Sequence, residues 1–263
     1  MASVTLERLS RRYGEVHAVR ELSLDIKRLP SISISEAQRL GVGFSLGFAE
    51  IERRGAVVHR FNTSILVDAA GKIVGRYRKI HLPGHAEDKP AAPFQHLEKR
   101  YFEVGDLGFG VWKTMGGNFG MCICNDRRWP ETYRVMGLQN VEMVLLGYNT
   151  PLHNAPSPDH DEHSWFHNQL SMQAGAYQNG TWVVGVAKGG AEEGVPSLAD
   201  SMIVAPSGKV VARADGVGDE LIVHRCDLDA GQSYKRTTFN FAIHRQPDQY
   251  RMIVERKGAM DPS

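Results

Sequence analysis

An α+β fold, with helices lying outside a strand-rich core, is predicted by three observations. Strand-like segments outnumber helical ones from about Gly41 onward. Short turns such as Ala69-Ala70-Gly71 and Pro206-Ser207-Gly208 join several of them in antiparallel pairs. One clear helical pattern separates two apolar runs, which makes a strand–helix–strand unit.

Residues 42–51 and 61–67 alternate or run apolar, and residues 73–80 return after the first turn as a partner strand. Residues 111–115 and 120–124 read as another hairpin. Pro130 opens a short helix over 131–138, and 141–148 reads as a buried strand. Over 163–178 Phe166, Leu170, Ala174 and Tyr177 recur at spacings of four, four and three, an apolar helical stripe. Strands follow at 181–188, 201–205, 210–214 and 220–226, and the polar tail after Gly231 reads as loop. The opening has a different texture. Residues 4–9 suggest a strand, 11–14 break it, 18–26 are apolar again, and Pro30 among serines suggests a linker. The expected division is therefore an N-terminal segment and junction over 1–34, followed by a main domain over 35–263.

The 263 residues are 42% hydrophobic and 23% charged with a net charge of +1. This balance is that of an ordinary globular chain and gives no electrostatic reason to expect nucleic acid or an anionic membrane as partner. No apolar stretch approaches a membrane span, and the N-terminus carries no signal-peptide pattern. Three cysteines, Cys122, Cys124 and Cys226, do not make a disulfide framework. A reducing cytoplasm is the expected compartment. Asn62-Thr63-Ser64 and Asn179-Gly180-Thr181 match the glycosylation sequon, which has no force without a secretory signal.

The chemistry gathers at Gly120-Met-Cys-Ile-Cys-Asn-Asp-Arg-Arg-Trp-Pro-Glu131. A strand end here delivers a thiol, an amide, a carboxylate and two guanidiniums in five residues. Cys124 is the candidate nucleophile, and Arg127 and Arg128 suit bidentate capture of a substrate carboxylate. Lys79 ends another strand just before a Pro-Gly turn, and Glu98 lies in Phe94-Gln-His-Leu-Glu-Lys99. The histidine-rich stretch 159–167 is read as a polar loop and helix N-terminus, with His167 a possible visitor to the site. His163 and His167 are four apart, but the zinc-protease glutamate is missing between them. Neither metal nor cofactor is expected.

Several segments, in order, carry a resemblance: Tyr77-Arg-Lys-Ile-His-Leu-Pro-Gly84, Pro93-Phe-Gln-His-Leu-Glu-Lys-Arg-Tyr-Phe102, Ile123-Cys-Asn-Asp-Arg-Arg-Trp-Pro-Glu131 and Gly147-Tyr-Asn-Thr-Pro151. Over residues 35–250 the chain resembles the nitrilase superfamily of carbon–nitrogen hydrolases, in particular the N-carbamoyl-D-amino acid amidohydrolases. The resemblance implies an αββα sandwich and a Glu–Lys–Cys triad without cofactor. Cys124 would attack the carbamoyl carbon, with Lys79 and the Asn125 backbone N–H holding the oxyanion. Glu98 would be the family's second, supporting glutamate. His81 and His96 would lie near the carbamoyl group, and Arg127, Arg128, Asn149 and Thr150 would hold the substrate carboxylate. The implied substrate is a small carbamoyl amino acid and the implied assembly a homo-oligomer. Ureidopropionase-like or aliphatic-amide specificity, and a non-catalytic paralogue keeping the pocket, are the alternatives.

The triad glutamate of that family sits in a Phe-Pro-Glu turn upstream of the matched segments, and this chain has no Phe-Pro-Glu. The resemblance thus implies a sandwich lacking its first strands and first helix, and impaired activity. Residues 4–26 instead resemble the opening of an ABC-transporter ATP-binding subunit, with Tyr13 at the adenine-stacking position. The phosphate loop that should follow is missing, so no ATPase activity is expected.

Overall fold

Two β-sheets of unequal width face each other and leave a cavity between them. The computed structural model describes residues 5–13, 16–25, 29–92, 94–154, 156–192 and 194–261. At the start, β1 (Thr5–Tyr13) and β2 (Val16–Asp25) pair as an antiparallel hairpin that joins neither larger sheet. Residues 11 and 12, expected to break the first strand, lie within it. The expected linker is also helical, because α1 (Leu29–Leu40) runs through it. Its proline falls in the first turn, where a missing N–H leaves no helical bond unmade.

The narrower sheet is antiparallel in the order β3-β4-β5, from β3 (Phe44–Arg54), β4 (Val57–Val67) and β5 (Ile73–Arg78). The 68–72 turn closes on Asp68, whose carboxylate accepts the N–H of Ala70 at 3.0 Å and of Lys72 at 2.9 Å. A short helix, α2 (Glu98–Tyr101), follows. Then β6 (Val111–Thr114) and β7 (Gly117–Ile123) form the second expected hairpin. Its two turn residues, Met115 and Gly116, have φ of 48° and 80°, the left-handed pair that matches strand twist.

From β7 the chain makes two parallel crossovers. Helix α3 (Pro130–Leu138) leads to β8 (Met143–Tyr148), and α4 (Ser164–Asn179) leads to β9 (Trp182–Ala187). A small hairpin of β10 (Ala191–Glu192) and β11 (Val195–Pro196) intervenes. The antiparallel β12 (Met202–Val204) and β13 (Val210–Arg213) then complete a six-stranded sheet in the order β13-β12-β9-β8-β7-β6.

Helices α3 and α4 cover this sheet on the side away from β3–β5. Gly120 of β7 and Gly185 of β9 lie so close beneath Met136 and Met172 that a Cβ at either would sit about 2.5–2.7 Å from a methionine sulfur. The expected stripe on α4 faces the other way: Phe166 and Leu170 are 61% and 49% exposed, while Asn168, Met172, Gly175, Ala176 and Asn179 are buried. Apart from Met172 the buried face is small or amide, and at Gly175 the ring of Tyr133 from α3 leaves no room for a Cβ. Met172→Ala should therefore lower unfolding free energy by about 2–5 kcal/mol, and Leu170→Ala by no more than about 0.5 kcal/mol. Urea melts of both variants check the orientation.

Two further expectations do not hold. Residues 220–226 form no strand; Trp182 donates from Nε1 to the Asp227 carbonyl at 2.7 Å, so this segment is fastened by a side chain instead of a ladder. The tail is not all loop, since it contains α5 (Gln232–Arg236), α6 (Phe241–His244) and α7 (Arg251–Glu255).

Candidate active site

Strand β7 ends at Ile123, and the chain turns at once into a 3-10 turn over Cys124–Arg128. Strand alternation alone would keep Cys124 on the face of Cys122. Its backbone instead adopts φ of 48°, left-handed and unusual for a residue with a Cβ. The thiol thereby enters the cavity between the sheets, while Cys122 stays outside it.

The cavity has a volume of about 1290 Å³. Its narrow-sheet wall includes Asn62, Ser64 and Leu66, alternate residues of β4 that share a face. Met143, Leu145 and Val184 line the opposite wall. Lys79, one residue past β5, is 1% exposed and donates to Glu98 Oε1 at 2.6 Å. Asn62 donates to the same oxygen at 3.0 Å. The carboxylate thus holds the ammonium in place, and Cys124, Lys79 and Glu98 share one cavity.

Burial pushes the Cys124 thiol up, but the Lys79 ammonium, the Arg127 guanidinium and a hydrogen bond from Thr150 outweigh it. The net direction is down, toward thiolate. Cys122 lacks that surplus of cations, and burial holds its thiol well above the ordinary range. Burial also lowers His96, helped by Lys79, His85 and Arg128 against the pull of Glu98. The imidazole, which lines the cavity, is therefore biased toward its neutral form.

Other expected residues lie differently. Arg127 is 1% exposed and its donors are committed: Nη1 to the Cys124 carbonyl at 2.7 Å, Nε to Asn168 at 2.8 Å and Nη2 to Thr150 at 3.1 Å. Its guanidinium also lies 4.3 Å from the Tyr148 ring centroid. As placed, it braces the thiol-bearing turn from below and has no free fork for a carboxylate. Arg128 is exposed, donating to Asn125 Oδ1 at 3.3 Å. Thr150 Oγ1 is 3.7 Å from the Cys124 sulfur. Asn149 lines the cavity beside Glu192. His81 does not: it stacks on Trp129 at 4.9 Å and 8° and bonds Asp126, facing a separate shallow cleft shared with Asn125. His167 is exposed outside the cavity, and among the described residues the histidine-rich stretch assembles no metal site.

Sequence reasoning missed Asn62 and Asn168. Period-two alternation from Leu66 along the 61–67 strand puts the first on the cavity face. The second is hidden because a helical asparagine gives no sign of which face is buried. Glu50 lies within β3, where it accepts from Arg78 and from Thr63 and is no part of the cavity wall.

The model of the family described as carbon-nitrogen hydrolase matches residues 34–236. The chain belongs to the carbon–nitrogen hydrolase family. Among curated relatives, this carbon–nitrogen hydrolase is 34% identical over 230 residues to an N-carbamoylputrescine amidase of Arabidopsis thaliana, covering 84% of this chain and 72% of the relative. It is 32% identical over 201 residues to a citrullinase of Francisella tularensis, covering 74% and 66%. A carbon-nitrogen hydrolase from Helicobacter pylori G27 has the same fold, with a TM-score of 0.72 at 23% identity over 88% of this chain and 77% of that one. An amidase mutant from Nesterenkonia sp. AN1, showing acrylamide added at its active site cysteine, has a TM-score of 0.63 at 20% identity, covering 86% and 75%. These matches place the chain among the carbon–nitrogen hydrolases and give it the α+β sandwich fold of those structures.

Proposed function

We propose that this carbon–nitrogen hydrolase cleaves the ureido group of a small N-carbamoyl compound, N-carbamoyl-D-amino acids foremost, to amine, carbon dioxide and ammonia. The observation that carries the reading is the buried Lys79–Glu98 pair sharing the Cys124 cavity. The Cys124 thiolate attacks the carbamoyl carbon, and the new oxyanion meets Lys79 Nζ and the Asn125 N–H. The C–N bond breaks, the leaving nitrogen takes a proton, and a carbonyl-thioenzyme remains. Water cleaves it, and the carbamate released decomposes. Acid–base duty falls to Glu98 and neutral His96, since Glu98 and Glu192 are the carboxylates in the cavity wall among the described residues. A single carboxylate serving both to hold Lys79 and to move protons supports the expectation of modest activity.

A carboxylate tail would rest on Arg128 and Asn149, because Arg127 is committed elsewhere. A second reading, a carbamoylated amine such as N-carbamoylputrescine, is favoured by Glu192. Its carboxylate lines the cavity, is hydrogen-bonded by Lys188, which lowers its pKa, and suits an ammonium tail. The test is ammonia release from both enantiomers of N-carbamoylphenylalanine and from N-carbamoylputrescine. Release from at least one is expected, and a cooperatively folded protein that releases none refutes the reading. On the second reading Glu192→Gln should shift kcat/KM about three- to fivefold toward the acids, the weight of an exposed ion pair; an unchanged ratio argues for the first.

Residues 1–34 we read as a segment apart from the hydrolase domain at 35–263; the separate β1–β2 hairpin and a family match starting at residue 34 support this. The outward Phe166 and Leu170 support homo-oligomer formation through α4.

A further inference from the structure

The turn after β7 contains a carboxylate for which the proposed reaction has no direct use. Asp126 is fully buried. It does not line the cavity, so it touches no substrate there. Yet it accepts four hydrogen bonds, one for each lone-pair site of a carboxylate. Oδ2 takes the Tyr77 hydroxyl at 2.7 Å and the Ile123 N–H at 2.9 Å. Oδ1 takes the His81 N–H at 3.0 Å and His81 Nδ1 at 2.9 Å. Because a carboxylate only accepts, Nδ1 carries the ring hydrogen.

The identity of these donors matters more than their number. Tyr77 and His81 are the residues two before and two after Lys79. Ile123 is the residue immediately before Cys124. One side chain therefore holds the chain on both sides of the proposed oxyanion lysine, through the Tyr77 phenol and the His81 backbone N–H, and at the threshold of the proposed nucleophile through the Ile123 N–H. The Asn125 side chain adds a parallel tie, donating to the His81 carbonyl at 3.2 Å. The turn needs such a clamp, because Cys124 is held in a left-handed conformation that the chain would otherwise relax. The other face of the clamp is packed: Phe109 stacks on Tyr77 at 5.7 Å and on His81 at 6.0 Å.

We propose that Asp126 is a positioning residue that fixes the separation and orientation of Cys124 and Lys79 by binding the chain around both. The inference rests on the hydrolase reading above for its catalytic consequence, but its geometric core concerns the reactivity of the thiol and can be measured without substrate.

The test compares wild type, Asp126→Asn, Asp126→Glu and Tyr77→Phe. Asparagine keeps the shape but turns an N–H₂ toward two of the four donors. The first readout is the rate of Cys124 alkylation by iodoacetamide across pH, followed on the Cys124 peptide by mass spectrometry. In the wild type the groups around that sulfur are Lys79, Arg127, Thr150 and Glu98. Asp126→Asn is expected to move the alkylation midpoint up by about one pH unit, as Lys79 drifts from the sulfur and burial regains weight. The second readout is ureido hydrolysis, where kcat should fall about 100-fold with KM changed less than threefold. Tyr77→Phe removes one of the four bonds and keeps the ring, so a smaller shift in the same direction is expected. It carries the test if Asp126→Asn does not fold. Asp126→Glu should restore folding better than activity, since the extra methylene displaces the acceptor.

A merely structural aspartate would give a lowered melting temperature with the wild-type alkylation profile and kcat at a temperature where each variant is folded. That result, in Asp126→Asn or failing that in Tyr77→Phe, overturns the proposal. Wild-type protein that hydrolyses no ureido compound, but whose alkylation profile still shifts in Asp126→Asn, overturns the hydrolase reading and leaves the positioning role standing.

Discussion

Cys124→Ala is expected to lower kcat for ureido hydrolysis by on the order of 10⁴- to 10⁶-fold, the loss seen when a nucleophile is deleted from a preassembled site. Its melting temperature should stay near that of the wild type. Alanine keeps the left-handed backbone and removes one sulfur from the edge of a large cavity, so there is little core to lose. The thiol itself offers an independent check. Because Lys79, Arg127 and the Thr150 hydrogen bond together outweigh burial, Cys124 should be alkylated at a lower pH than a free cysteine, while Cys122, whose thiol burial pushes up, should stay unmodified. Peptide mapping after brief iodoacetamide treatment reads both at once. Hydrolysis that survives Cys124→Ala would sink the nucleophile assignment.

Lys79→Met carries the second large effect, and it acts on two quantities together. Removing the ammonium deletes the proposed oxyanion donor, worth on the order of 10²–10³ in kcat. It also strands Glu98, only 13% exposed, with Asn62 as its remaining side-chain hydrogen-bond donor among the described residues. Breaking a buried pair from one side destabilises by about 3 kcal/mol or somewhat more. Adding Glu98→Gln should recover much of that stability, because the stranded charge is gone, and none of the rate. With the cation absent, burial dominates at Cys124 and its alkylation profile should move to higher pH. Urea melts and single-turnover kinetics on the single and double variants separate the two losses. Stability and rate recovering together would remove Lys79 from the chemistry.

The α+β class, the hairpin at 111–123 and the two crossover helices were legible because each leaves a local mark: a turn pair, a proline, a spacing. The sense of α4 was not. Phe166 and Leu170 mark a stripe, but the buried face carries Met172 among small side chains and amides, so the stripe of larger apolar residues looks outward. Periodicity shows that a helix has two faces; packing density decides which is inside. The site divides along the same line. Cys124, Lys79 and Glu98 were found from strand ends and family pattern, and they share a cavity. Arg127 was expected at the substrate because its chemistry suits a carboxylate, and His81 because the family resemblance implies it. Their positions follow instead from long-range partners, Asn168 and Asp126, which no window of sequence places beside them.

The left-handed backbone at Cys124 has one further meaning. A side chain at φ of 48° is a net liability to the folded state, and glycine alone would sit there without strain. The turn would thus be less strained with glycine, which has no thiol to present. Stability and reactivity make opposite demands at that position, so any drift of the sequence toward a more stable turn would silence the thiol.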